Sequence, residues 1–267
     1  MKPTYSYRLR RFRRTILFGV VRRYSAFKRI FPATAPLAVQ RFDCGEERAS
    51  ELMIFLPGVG DVLEDFERNR FMEAVCASKR PADMVVVDVH AGYYFHASVL
   101  ERLHEDVIAP ARASGHRSIW LVGISLGGFG ALLYAMENTQ DIQGLMLLAP
   151  YLGERTLIAE IATAGALRSW QPDEVAIGDH ARRLWSWLKR VYATSSDRPA
   201  PRVYLGYGNR DSFARGNALL AEYLPADRVF IVPGGHDWKT WRELWRAMLA
   251  RRDAEPPPPP LELAQSS

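Results

Sequence analysis

Six short, near-continuous apolar runs recur along the chain: Leu52 to Leu56, Met84 to Val89, Ile119 to Ile124, Leu145 to Leu148, Val203 to Tyr207 and Val229 to Val232. Runs of this length and character predict strands buried on both faces. Leu37 to Phe42 is a candidate seventh. Helical patterns lie between them, one of them opening at Ser98 with Glu101 three residues on, a capping-box signature. Strands alternating with helices predict the α/β class, with a mostly parallel central sheet and helices on both faces. The alternation breaks between Tyr151 and Arg202, where a helical insertion is expected before the penultimate strand. Asp179 is the expected N-cap of its segment through Tyr192. Trp170, Trp185 and Trp187 fall here, so residues 151–201 predict either a lid over a pocket or surface helices packed with their own aromatics.

The 267 residues suit a single α/β domain, expected over 37–252. Before it, residues 1–36 form a basic arm. Met1 to Phe42 contain eleven Lys or Arg and no acidic residue, which leaves 24 basic against 30 acidic residues in the remainder. The body is therefore mildly acidic, which argues against a nucleic-acid groove across it. Within the arm, Leu9, Phe12, Ile16, Leu17, Val20, Tyr24, Phe27 and Phe31 recur at spacings of mostly three and four, and Pro32 follows. This is the pattern of an amphipathic helix stopped by proline. With its cationic flanks, residues 5–31 are expected to lie on an anionic membrane surface. The alternative is packing on the body or on a second subunit. The apolar stretch Ile16 to Val21 is too short for a secretory signal, and Arg22-Arg23 interrupts it. At the other end, Glu255 to Pro260 carries five consecutive prolines, so 253–267 is expected to be an extended, solvated tail.

Cys44 and Cys76 are the only cysteines. Two in a chain this long give no disulfide framework, and neither has a partner at metal-ligand spacing. Both are read as free thiols, which favours a reducing, cytoplasmic setting, with no metal or cofactor.

The strongest local signal is Gly123-Ile124-Ser125-Leu126-Gly127-Gly128, between an apolar run and the helix-like Phe129 to Met136. A serine on a sharp strand-to-helix turn needs small flanking residues, because helix and strand approach closely there. The turn lifts the hydroxyl above the sheet beside a helix N-terminus, which favours developing negative charge. A serine nucleophile needs a base, and the base needs an orienting acid. His236, in Pro233-Gly234-Gly235-His236-Asp237-Trp238, follows the last apolar run. Asp211, in Gly208-Asn209-Arg210-Asp211, follows the one before. The chain order Ser125, Asp211, His236 is the order expected for a nucleophile elbow of this kind. Glu154 is the alternative acid. His90 and His96 follow a strand end and are candidates for lining a pocket, whereas His104 and His116 are expected to be solvated and His180 to open a helix. The backbone N–H groups of Leu126 and of Val59, in the loop Leu56-Pro57-Gly58-Val59-Gly60-Asp61, are the expected oxyanion donors, with Gly58 the alternative to Val59.

From about Leu52 to Trp245 the chain resembles the α/β-hydrolase superfamily. Three pieces resemble its esterase D, feruloyl esterase and mycolyltransferase group: GISLGGFGAL at Gly123 to Leu132, GNRDSF at Gly208 to Phe213, and GGHDWKTW at Gly234 to Trp241. The resemblance implies the α/β-hydrolase fold and cofactor-free, serine-dependent acyl transfer, with Ser125, Asp211 and His236 matched position by position. Pro57 departs from it, standing where many relatives have His before Gly. The expected activity is hydrolysis of small carboxylic esters or thioesters through an acyl-enzyme. An acyltransferase on the same triad is the alternative, and a noncatalytic binding protein on this fold is the third reading.

Overall fold

The computed structural model describes residues 35–257 apart from 47, 96, 173–174 and 195–199. The basic arm at 5–31, His96 and the prolines beyond 257 lie outside the described residues. Seven strands form one sheet: β1 (Val39–Phe42), β2 (Glu51–Leu56), β3 (Asp83–Val87), β4 (Ser118–Ile124), β5 (Gly144–Leu148), β6 (Arg202–Gly208) and β7 (Val229–Val232). Their spatial order is β1-β3-β2-β4-β5-β6-β7. Only β1 is antiparallel, with Val39 opposite Val87 and Phe42 opposite Met84. All seven apolar runs are therefore strands. Every residue of β2, β3 and β5 is buried, because helices cover both faces. At the edges β1 and β7 are only half covered.

In parallel strands all carboxyl ends lie on one edge, so the loops after β2, β4, β6 and β7 converge there. The helix Leu126–Glu137 leaves β4 at a crossing tight enough to require glycine. A Cβ at Gly123 would fall 2.5 Å from the Gly128 Cα, and one at Gly127 would collide with the Leu56 carbonyl. The C-terminal helix Trp238–Ala254 is capped by Asp237, whose side chain accepts from the Thr240 N–H. It buries Trp241, Leu244, Trp245 and Met248 against the sheet. At its far end Arg252 is fully buried and ion-paired to Glu51 at the start of β2. Burial pushes this guanidinium down to about 10.

Among its described residues the insertion holds the helices Arg155–Thr163 and His180–Leu188, the second continuing into a π-helical turn over Lys189–Ala193. Asp179 caps the second as expected, accepting from the Arg182 N–H at 3.0 Å. Trp170 and Trp185 are fully buried in the main core. The Trp185 indole donates to the Leu152 carbonyl at 2.7 Å and the Trp170 indole to Glu160 at 2.9 Å. The insertion aromatics thus pack into the domain rather than only against one another.

Four expectations are corrected. Ser98 precedes the helix Val99–Leu103, but its side chain caps no N–H; the residue has helical dihedrals and its hydroxyl turns back to the Tyr93 carbonyl. His116 is buried rather than solvated, since its Nε2 lies 2.9 Å from Asp83 Oδ2 at the amino edge of the sheet. Glu255 belongs to the body: its carboxylate is buried between Arg202 and Arg228, at 2.9 and 3.0 Å. Burial opposes ionisation here, but the hydrogen bonds and charge of Arg228, with Tyr204 and Arg202, together hold its pKa below the usual carboxylate value. Finally, Cys44 and Cys76 are joined in a disulfide. They are 32 residues apart in sequence, but β1 and the helix Phe71–Cys76 bring their Cα atoms to 5.1 Å. The free-thiol reading fails, and with it the basis for expecting a reducing compartment.

A loop of that length implies about 3–4 kcal/mol of stabilisation in the chain-entropy picture. The double variant Cys44→Ser/Cys76→Ser should accordingly melt roughly 10 °C lower. Calorimetry with and without reductant checks this: reductant should lower the melting temperature of the wild type alone, and a wild type insensitive to it would contradict a stabilising role.

Candidate active site

Ser125 sits between β4 and the helix that follows, with φ 54° and ψ −115°. A non-glycine residue there is strained, and the surroundings hold it in place. Its N–H donates to the Leu148 carbonyl at 3.0 Å, while its carbonyl accepts from the Tyr151 and Phe129 N–H groups at 2.9 and 3.2 Å. The side chain is thereby presented above the carboxyl edge of the sheet, at the start of a twelve-residue helix.

Asp211 and His236 are brought together by the loops after β6 and β7. Those loops touch at glycine: a Cβ at Gly208 would collide with the Gly234 backbone. The Arg210 N–H donates to the Gly234 carbonyl at 2.9 Å, and the Asn209 N–H to the Val232 carbonyl at 2.9 Å. The Asp211 side chain is fully buried, with Oδ1 accepting from the Phe213 N–H at 2.8 Å and Oδ2 lying 2.8 Å from His236 Nδ1. An ionised carboxylate only accepts, so Nδ1 carries the proton and Nε2 keeps a lone pair. Phe213 and Trp241 stand edge-on to the imidazole, at 4.9 and 5.0 Å between centroids, and fix its plane. Phe213 also contacts Tyr151, whose N–H holds the Ser125 carbonyl. Among the described residues the Ser125 hydroxyl makes no hydrogen bond, so the dyad and the serine share the edge without closing the Ser–His bond. Such bonds are often long without substrate and tighten in the complex.

Glu154 is exposed and accepts from the Tyr151 hydroxyl at 3.3 Å; the acid on His236 is Asp211. His90 is half-buried, its Nδ1 accepting from the Gly92 N–H at 3.1 Å. His104 is hydrogen-bonded at 2.8 Å to the hydroxyl of Tyr134, near the far end of the helix Leu126–Glu137 that Ser125 opens. Asp237, beside the candidate base, caps the last helix, and its bond from the Thr240 N–H holds its pKa below the ordinary value.

The loop after β2 is a tight turn in which the Asp61 N–H donates to the Gly58 carbonyl at 3.2 Å, with Gly60 in the left-handed region at φ 86°. A Cβ at Gly58 would lie 3.3 Å from Ser125 Cβ and 2.8 Å from Asp61 Oδ2, so this loop lies directly against the serine. The N–H groups of Val59 and Leu126 donate to no acceptor among the described residues. That of Gly58 is equally unengaged, so both candidates for the second oxyanion donor remain. One contact here had no sequence signal: the Trp238 indole N–H donates to Asp61 Oδ1 at 3.2 Å, across 177 residues.

A mostly parallel sheet with a strained serine after one strand and a His–Asp pair after the last two is an α/β-hydrolase arrangement. The chain belongs to the family described as Putative esterase, which matches residues 91–252. It is 25% identical over 137 residues to an acetyl esterase of Caldicellulosiruptor saccharolyticus, a match covering 45% of this chain and 49% of that one. The chain thus spans about half the length of the curated relative it matches. In fold it is similar to an S-formylglutathione hydrolase (FrmB) of Staphylococcus aureus, with TM-score 0.55, 14% identity, and 78% and 82% of the two chains covered. It is similar also to Est1E of Butyrivibrio proteoclasticus, solved with ferulic acid, with TM-score 0.54, 17% identity, and 82% and 96% covered.

Proposed function

We propose that this protein hydrolyses small carboxylic esters or thioesters through an acyl-enzyme on Ser125. The observation that carries the reading is the buried Asp211 carboxylate on His236 Nδ1, which leaves Nε2 basic on the edge where Ser125 is presented. Membership of an esterase family and the likeness to ester and thioester hydrolases support it.

In this mechanism Ser125 Oγ attacks the carbonyl carbon while its proton passes to His236 Nε2. The tetrahedral oxyanion is held by the Leu126 N–H and by that of Val59. The bond from carbon to the leaving oxygen or sulfur breaks, and Nε2 hands its proton to the leaving group. Water then attacks the acyl-enzyme, gives a proton to Nε2, and Ser125 recovers that proton as the acid departs. Asp211 stays ionised throughout, orienting the ring and stabilising its charged form.

The purified full chain should therefore be labelled at a single serine by a fluorophosphonate and should release p-nitrophenol from short-chain esters. A protein that takes up no label and hydrolyses neither esters nor thioesters contradicts the reading. Adding candidate alcohol or amine acceptors to the same assay separates hydrolysis from acyl transfer: a hydrolase yields free acid whether or not the acceptor is present.

A further inference from the structure

We propose that the hydrogen bond between Trp238 and Asp61 is a positioning contact that sets the oxyanion loop against the His236 loop. The inference rests on the serine-hydrolase reading above. Asp61 closes the turn containing Gly58 and Val59, and it is buried, with 6% of its surface exposed. Its Oδ1 accepts from the Trp238 indole at 3.2 Å, and its Oδ2 sits beside the Gly58 backbone that abuts Ser125. Trp238 follows His236 by two residues and opens the last helix. Its ring is held edge-on by Phe66, Phe71 and Trp241 at 5.2–5.5 Å, and Trp241 in turn stands edge-on to His236 at 5.0 Å.

One polar contact therefore bridges the loop that stabilises the oxyanion and the loop that carries the base. Neither loop sets the other's position through the sheet, since β2 and β7 are separated by β4, β5 and β6. Displacing a reacting or stabilising group by about 1 Å can cost on the order of 100-fold. Trp238 and Asp61 thus act through their neighbours, without touching substrate.

Trp238→Phe keeps an aromatic ring at this position and deletes the donor. Its kcat on a p-nitrophenyl ester, counted per fluorophosphonate-labelled site, should fall by roughly 10- to 100-fold with KM little changed. Asp61→Ala should fall equally, and the double variant should be no slower than the slower single one, because both remove the same bond. Asp61→Asn restores an acceptor for the indole and should recover most of the loss. A merely structural role would instead lower the fraction of labelled sites and leave kcat per site at the wild-type value. That result, or losses that multiply in the double variant, would overturn the proposal. Failure of the wild type itself to take up label would instead overturn the hydrolase reading on which it rests.

Discussion

Ser125→Ala should leave a folded protein whose turnover of p-nitrophenyl esters is lower by roughly 10⁵- to 10⁶-fold and which no longer takes up a fluorophosphonate. The size of the loss follows from the mechanism: without the hydroxyl no acyl-enzyme forms, and His236 has no proton to remove. Retention of the fold follows from local structure. The strain at φ 54° is carried by the backbone and is similar for alanine. The main-chain bonds to Leu148, Tyr151 and Phe129 do not involve the side chain, and the hydroxyl has no hydrogen-bond partner to strand among the described residues. Circular dichroism and melting temperature should match the wild type while activity disappears. Wild-type activity in this variant would remove Ser125 from the mechanism.

Asp211→Asn should lower turnover by about 10⁴-fold, as expected for a base left in the wrong tautomer. Asparagine preserves the shape and can still accept from the Phe213 N–H through its oxygen. Its NH₂ then faces His236 Nδ1, which must become an acceptor, so the ring proton moves to Nε2 and the base is lost. Glu154→Gln should change activity by no more than a few-fold, because that carboxylate is exposed and, among the described residues, accepts from the Tyr151 hydroxyl rather than from His236. Steady-state kinetics on both variants, with melting temperatures as controls, decide the matter. The reverse ranking would move the orienting role to Glu154.

The strands were legible because burial on both faces forces continuous apolar runs, whatever the partners of each strand. The elbow was legible because its requirements lie within six residues: Gly123, Gly127 and Gly128 are needed where Ser125 leaves β4. The Ser98 capping box misled for a related reason. Its two residues stand at the right spacing, yet the backbone already turns helically at Ser98 and its hydroxyl faces Tyr93 instead. The five prolines place the start of an extended tail at 253, yet Asp253 lies in the last helix and Glu255 is held by three arginines: Arg202, Arg228 and Arg251.

By itself the sequence determined the α/β class, the positions of the strands and the order serine, acid, base along the chain. Those features depend on residues a few positions apart, where periodicity and turn chemistry act directly. Only the tertiary structure decided that Asp211 rather than Glu154 meets His236, that Cys44 pairs with Cys76, that His116 is buried on Asp83, and that Trp238 reaches Asp61. Each of these joins groups 25 to 177 residues apart. Such contacts are set by which loops the sheet order brings to one edge, and by how closely glycines let those loops approach.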